Sequence, residues 1–238
     1  MPADLKGARF TWLGHATFLI EYKGKHILID PWVMGNPMCP EDKKKLPHID
    51  LILATHAHFD HIGDAVAIAK QYKPKVIGIF ELCAWLEKKG VENTSAMNKG
   101  GTQRLPDFGL EVTMVSADHS CGIKDGDEIL YGGEACGYVI TFDSGLVLYH
   151  AGDTNVFGDM KIIRKLYAPH IAMLPIGDHF TMGPREVAYA CKLLEPQHVI
   201  PMHFGTFPLL TGTPADLRQR LTGSETQLLE MKPGESIS

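Results

Sequence analysis

Residues 51–64 read LILATHAHFDHIGD: a short apolar run, then His56, His58, Asp60 and His61 within six positions. The run Asp50–Ala54 has the length and the unbroken apolar character of a buried strand, and the segment from Gly63 to Tyr72 has helical spacing until Pro74 ends it. Where a strand runs out into a loop, alternate side chains point the same way, so His56 and His58 can converge on one point. A turn into the following helix swings Asp60 and His61 to a neighbouring point. Imidazole and carboxylate groups suit Zn, Mn or Fe, and two adjacent points imply two adjacent ions. The HExxH and HxxEH spacings of helix-borne zinc peptidases are absent.

Four side chains cannot complete two ions, so partners must come from elsewhere. His119 in SADHS follows a strand at Leu110–Ser116, Asp153 in YHAGDT follows one at Leu146–Tyr149, and His203 in PMHFGT follows one at His198–Met202. All three therefore fall at strand ends. The remaining segments fit the same pattern. Arg9–Leu13, Thr17–Tyr22 and His26–Ile29 read as an antiparallel meander turning at Lys23-Gly24-Lys25. A strand at Lys75–Ile79 and a helix at Glu81–Lys89 follow. The second half repeats the alternation: strands Cys136–Phe142, His170–Leu174 and Gln227–Met231, with helices Lys161–Leu166, Pro184–Leu194 and Pro214–Leu221. Strands first and helices interleaved, twice over, predict an α/β fold of two sheets packed face to face with helices outside. No linker-like or low-complexity stretch interrupts the chain, so residues 1–238 read as one domain.

Composition narrows the function. The 238 residues carry 23 Lys and Arg against 28 Asp and Glu, a net charge of −5, so no basic excess is available to grip a phosphate backbone. The Lys43–Lys45 run reads as a solvated loop. Five dispersed cysteines without a CxxC pair argue against a disulfide framework and for a reducing compartment. The N-terminus lacks the pattern of a secretory signal, and no segment approaches the roughly 20 apolar residues of a spanning helix. The expectation is a cytoplasmic protein without membrane insertion, and an assembly of identical chains is compatible with this.

The ordered ligand motifs resemble those of the metallo-β-lactamase superfamily: an early Asp, HxHxDH, a His, an Asp and a His. Here these are Asp30 in LIDPW, the His56–His61 cluster, His119, Asp153 and His203. The stretches WLGHATFLIE, HILIDPW and PIGDHFTMGP look more closely like the metal-dependent hydrolases of uncharacterised family standing. That branch is similar to ascorbate-6-phosphate lactonases and, more distantly, to phospholipase D enzymes acting on N-acyl phosphatidylethanolamine. The resemblance implies a four-layer αββα sandwich of two mixed sheets flanked by helices. It implies that His56, His58 and His119 hold one ion, that Asp60, His61 and His203 hold the second, and that Asp153 bridges them. Asp30 would hydrogen-bond the histidine loop without touching metal.

Two such ions, Zn first and Mn or Fe next, lower the pKa of a shared water enough to supply hydroxide and polarise the group it attacks. The expected enzyme hydrolyses a small-molecule ester, lactone or phosphodiester. Asp60 would ligate and orient the hydroxide, and His179 in GDHFTMG is the candidate general acid. His15 in LGHAT could line the same rim, His150 reads as buried structure, and Cys121 raises a weaker thiol-nucleophile alternative. Two other readings compete. A nuclease acting on RNA or DNA is opposed by the acidic balance and by the lack of room for a substrate clamp. A diiron redox protein would carry a carboxylate in place of His58.

Overall fold

The computed structural model describes residues 3–238. Its first half runs β1 (Arg9–Trp12), β2 (Phe18–Tyr22), β3 (Lys25–Ile29), β4 (Leu51–Leu53), α1 (Phe59–Ile62), α2 (Ala65–Tyr72), β5 (Lys75–Ile79), α3 (Phe80–Lys88) and β6 (Thr94–Met97). The second half begins with β7 (Thr102–Leu105), β8 (Leu110–Ser116), the hairpin β9 (Gly122–Asp125) and β10 (Glu128–Tyr131), then β11 (Cys136–Phe142) and β12 (Val147–His150). It ends with α4 (Met160–Tyr167), β13 (Ile171–Pro175), α5 (Pro184–Leu194), β14 (His198–Met202), α6 (Pro214–Arg220), β15 (Gln227–Leu228) and β16 (Ser236–Ile237).

Two seven-stranded sheets result, ordered β16-β1-β2-β3-β4-β5-β6 and β15-β14-β13-β12-β11-β8-β7. Both are mixed. In the first, β1 to β3 are antiparallel and β3 to β6 parallel. In the second, β7, β8, β11 and β12 are antiparallel and β12 to β15 parallel. The period-two alternation of strand side chains assigns the layers. Tyr138, Ile140 and Phe142 of β11, with Leu148, Met173 and Ile200, join Phe10, Phe18 and Leu28 of the first sheet in the central core. Their sequence neighbours Val139, Tyr149, Ala172, Leu174 and Val199 face the other way, against Ile163 of α4 and Val187, Ala190 and Leu194 of α5. On the far side α3 packs on β5 and β6. The αββα sandwich expected from the sequence is what forms.

Three differences from the expected elements have local causes. The helix read over Gly63–Tyr72 begins at Ala65 as α2, and a separate turn α1 precedes it at Phe59–Ile62; at the junction the Asp64 carboxylate accepts from the Val33 and Met34 amides at 2.6 and 2.8 Å. The strands β6, β7, β9 and β10 carried too little hydrophobic alternation to be recognised; β6 reads TSAM and β7 reads TQRL. The last expected strand pairs only over Gln227 and Leu228.

Candidate metal centre

Loops at one rim of the sandwich bring the seven expected residues together. The first sheet delivers His56 and His58 from the loop after β4, and Asp60 and His61 from α1. The second sheet delivers His119, Asp153 and His203 from the loops after β8, β12 and β14. They fall into two groups whose donor atoms could share an ion, His56, His58, His119 and Asp153, and then Asp60, His61 and His203 with His15, while Asp30 forms a third, smaller cluster with His56 and His61. Four nitrogen or oxygen donors at about 2.0–2.1 Å from a tetrahedral ion lie about 3.3 Å from one another. In the first group His56 Nε2 and His119 Nε2 stand 3.0 and 3.3 Å from His58 Nδ1, and 3.8 and 3.7 Å from Asp153 Oδ2. Beside it, the same Asp153 oxygen lies 3.2 Å from His61 Nε2 and 3.0 Å from His203 Nε2. Those two nitrogens and Asp153 Oδ1 are buried without a hydrogen-bond partner, an expensive arrangement unless a cation satisfies them. The donor set fits two adjacent divalent ions.

A layer of hydrogen bonds behind these atoms sets which nitrogen faces inward. Asp30 accepts from the Thr55 amide at 2.8 Å, from the Thr55 hydroxyl at 2.7 Å and from His61 Nδ1 at 2.7 Å. His61 Nε2 is thereby left with its lone pair toward the centre. With its proton committed to Asp30, the Thr55 hydroxyl can only accept from His56 Nδ1 (3.1 Å), so His56 Nε2 also faces inward as an acceptor. His15 performs the matching task for Asp60: its Nε2–H donates to Asp60 Oδ2 at 3.1 Å, while Nδ1 accepts from Thr206 at 2.8 Å. Backbone strain collects at the same rim. His15, Asp30, Asp178, His179 and His203 all take φ between 49° and 64°, a region non-glycine residues enter at a cost.

The beta-lactamase superfamily domain matches residues 25–204, which include all seven candidate ligand residues. The chain belongs to the metallo-β-lactamase superfamily. A UPF0173 metal-dependent hydrolase from Koribacter versatilis is 61% identical over 236 residues, covering 99% of this chain and 100% of that one. Another from Solibacter usitatus is 52% identical over 228 residues, covering 95% and 98%. Among solved structures, the metallo hydrolase Igni18 from Ignicoccus hospitalis superposes with a TM-score of 0.86 at 38% identity, covering 97% of each chain. This superfamily member is accordingly an enzyme, a metal-dependent hydrolase.

Electrostatics in this metallo-β-lactamase-like centre favour ionised carboxylates. Burial alone would push Asp153 up, but His203 and His61 outweigh it and hold the carboxyl well below the usual range. Asp60 behaves alike, burial being outweighed by the His15 hydrogen bond and by His61. His15 goes the other way: burial, aided by His203, lowers it to about 4, so it stays neutral and keeps the proton it gives Asp60. Burial pushes the Cys121 thiol up to about 11, and its Sγ donates to the Gly132 carbonyl at 3.2 Å, both of which oppose a thiolate there. Buried His150 is held by the Ala16 carbonyl and the Gly152 amide, as a structural residue.

A cleft of about 780 Å³ opens over the two groups, lined by His58, Asp60, His119, Asp153 and His203 on its floor. His179 lies on the rim loop after β13 but is exposed, packs edge-on against Phe180 at 4.5 Å, and is not among the cleft-lining residues. Phe180 is. Sequence reading passed over Thr55, Thr206 and Ser120, whose hydroxyl lies 3.3 Å from His58 Nε2. Thr55 sits directly before the histidine cluster, a position from which a hydroxyl can reach the loop; Thr206 and Ser120 carried no comparable signal.

Proposed function

We propose that this hydrolase binds two divalent ions, Zn ahead of Mn or Fe, and cleaves a small-molecule ester, lactone or phosphodiester in the cytoplasm. The observation that carries this reading is the single Asp153 oxygen standing 3.0–3.8 Å from histidine nitrogens of both ligand groups. When bound, such ions supply a nucleophile at neutral pH and polarise the carbonyl or phosphoryl oxygen. His56, His58 and His119 would hold one, Asp60, His61 and His203 the other, with Asp153 shared. Asp60, its Oδ2 fixed by His15, keeps its second oxygen available to accept a proton from the attacking water and to orient it. Asp30 and Thr55 hold the imidazoles in the tautomers that ligation needs. His179, one residue from cleft-lining Phe180, is the candidate group from which the leaving oxygen would take its proton.

Metal analysis of protein purified without added metal, then stripped by chelator and reloaded, tests this. Two ions per chain at saturation are expected, with ester or phosphodiester hydrolysis lost on stripping and restored on reloading. A limit of one ion under saturating Zn and Mn would sink the dinuclear reading.

A further inference from the structure

Ten large hydrophobic side chains are exposed among the described residues, and four of them, Phe59, Ile129, Phe180 and Leu209, converge on this one cleft. They are 57%, 81%, 53% and 53% exposed, a clustering of apolar side chains in one groove of the kind that marks ligand-binding sites. One wall is rigid. Phe59 and Phe207 both pack on the buried Trp32, at 5.9 Å edge-on and 5.9 Å stacked, so their rings cannot retreat inward. The opposite wall is the β9–β10 hairpin, a two-stranded unit outside both main sheets. Its alternation is informative. Ile123 and Leu130 face the core, while Lys124 and Ile129, paired across the strands, face the cleft. Charge is scarce there. Lys124 is the one lysine among the lining residues, it forms no ion pair among the described residues, and no arginine lines the cleft. Away from the candidate metal groups, a phosphate of a phosphorylated sugar or a polyanion would find one lysine and no arginine to pair with.

We infer that the substrate is an ester or lactone whose acyl or aryl group is apolar, of medium length, and carries at most one negative charge, with the β9–β10 hairpin and Phe180 as its specificity wall. This rests on the hydrolase reading above and names its substrate class. The volume of about 780 Å³ suits a molecule larger than an acetate ester. In the hydrolysis the acyl–oxygen bond breaks, the water oxygen joins the acyl carbon, and one water proton passes to the leaving oxygen; no oxidant or reductant is consumed.

The test uses the metal-loaded enzyme and 4-nitrophenyl esters from acetate to octanoate, with bis(4-nitrophenyl) phosphate and a 6-phosphorylated sugar lactone as charged probes. Calorimetric titration with acetate and octanoate, the product acids, reads binding independently of turnover. kcat/KM should rise by about two- to fourfold per methylene until the cleft is filled. Ile129→Ser and Phe180→Ser, both at exposed positions, should flatten that slope, and Lys124→Ala should weaken octanoate binding. A flat series, or preference for the phosphorylated probes, overturns the inference and leaves the hydrolase reading intact. Octanoate binding tighter than acetate without hydrolysis of any probe keeps the cleft's apolar selectivity but overturns the ester assignment together with the ester reading it rests on. Neither binding nor chain-length dependence ends it.

Discussion

In the proposed mechanism Asp60 carries two tasks with a single carboxylate. One oxygen is pinned by neutral His15, which is itself pinned by Thr206, so the other oxygen has a defined direction. Replacing Asp60 by Asn keeps size and weak ligation but removes the charge that would accept a proton. The expected result is a loss of about 10²–10⁴ in kcat with KM and thermal stability little changed. His179→Ala should fail differently, sparing esters with activated leaving groups and slowing those with poor ones. Steady-state kinetics on paired substrates separates the two, and identical profiles for both variants would remove the distinction. Asp60, His56, His58 and His61 were legible because four ligand-type side chains crowd six positions behind an apolar strand. Thr206 was not, because a hydroxyl that reaches 191 residues back along the chain to His15 leaves no local trace.

At the scale of elements, the centre depends on how closely β13 and β14 run where they leave the sheet. The Ile176 amide donates to the Met202 carbonyl at 3.0 Å, and the His203 amide donates to the His15 carbonyl at 3.0 Å. A side chain at Gly177 would place its Cβ 2.1 Å from the His203 carbonyl, which is backbone and cannot swing aside. Gly177→Ala should therefore cost about 1–3 kcal/mol in overpacking and displace His203. Metal titration is expected to show one ion still bound tightly and the other weakened at least tenfold, with the far-ultraviolet dichroism unchanged. Two ions held as in the parent would mean that His203 is placed independently of Gly177. Strands β8, β11, β13 and β14 were readable from their hydrophobic runs. The β9–β10 hairpin was not: its sequence GIKDGDEILY balances a core-facing Ile123 and Leu130 against an outward Lys124 and Ile129, a pattern too short to stand out.

For the whole molecule, the sandwich was foreseeable because both halves alternate strand and helix and because ligand residues fall at strand ends. What no local pattern revealed is the division of labour between the sheets. Candidate ligands from the first sheet end at His61, those from the second begin at His119, and the chain passes between the sheets at Asn98–Gly101, joining β6 to β7. Apart from the return of β16 to β1, each sheet is one continuous stretch of chain. Severing the chain between Gly100 and Gly101 would leave one piece with His56, His58, Asp60 and His61 and the other with His119, Asp153 and His203. Neither piece can complete either ligand group. Co-produced fragments should therefore reassemble more tightly with Zn than with chelator, measurable by size-exclusion chromatography or fragment-fused luminescence, and equal reassembly in both would refute this. A protein divided there becomes a two-part reporter that reads free divalent ion as the joining of its halves.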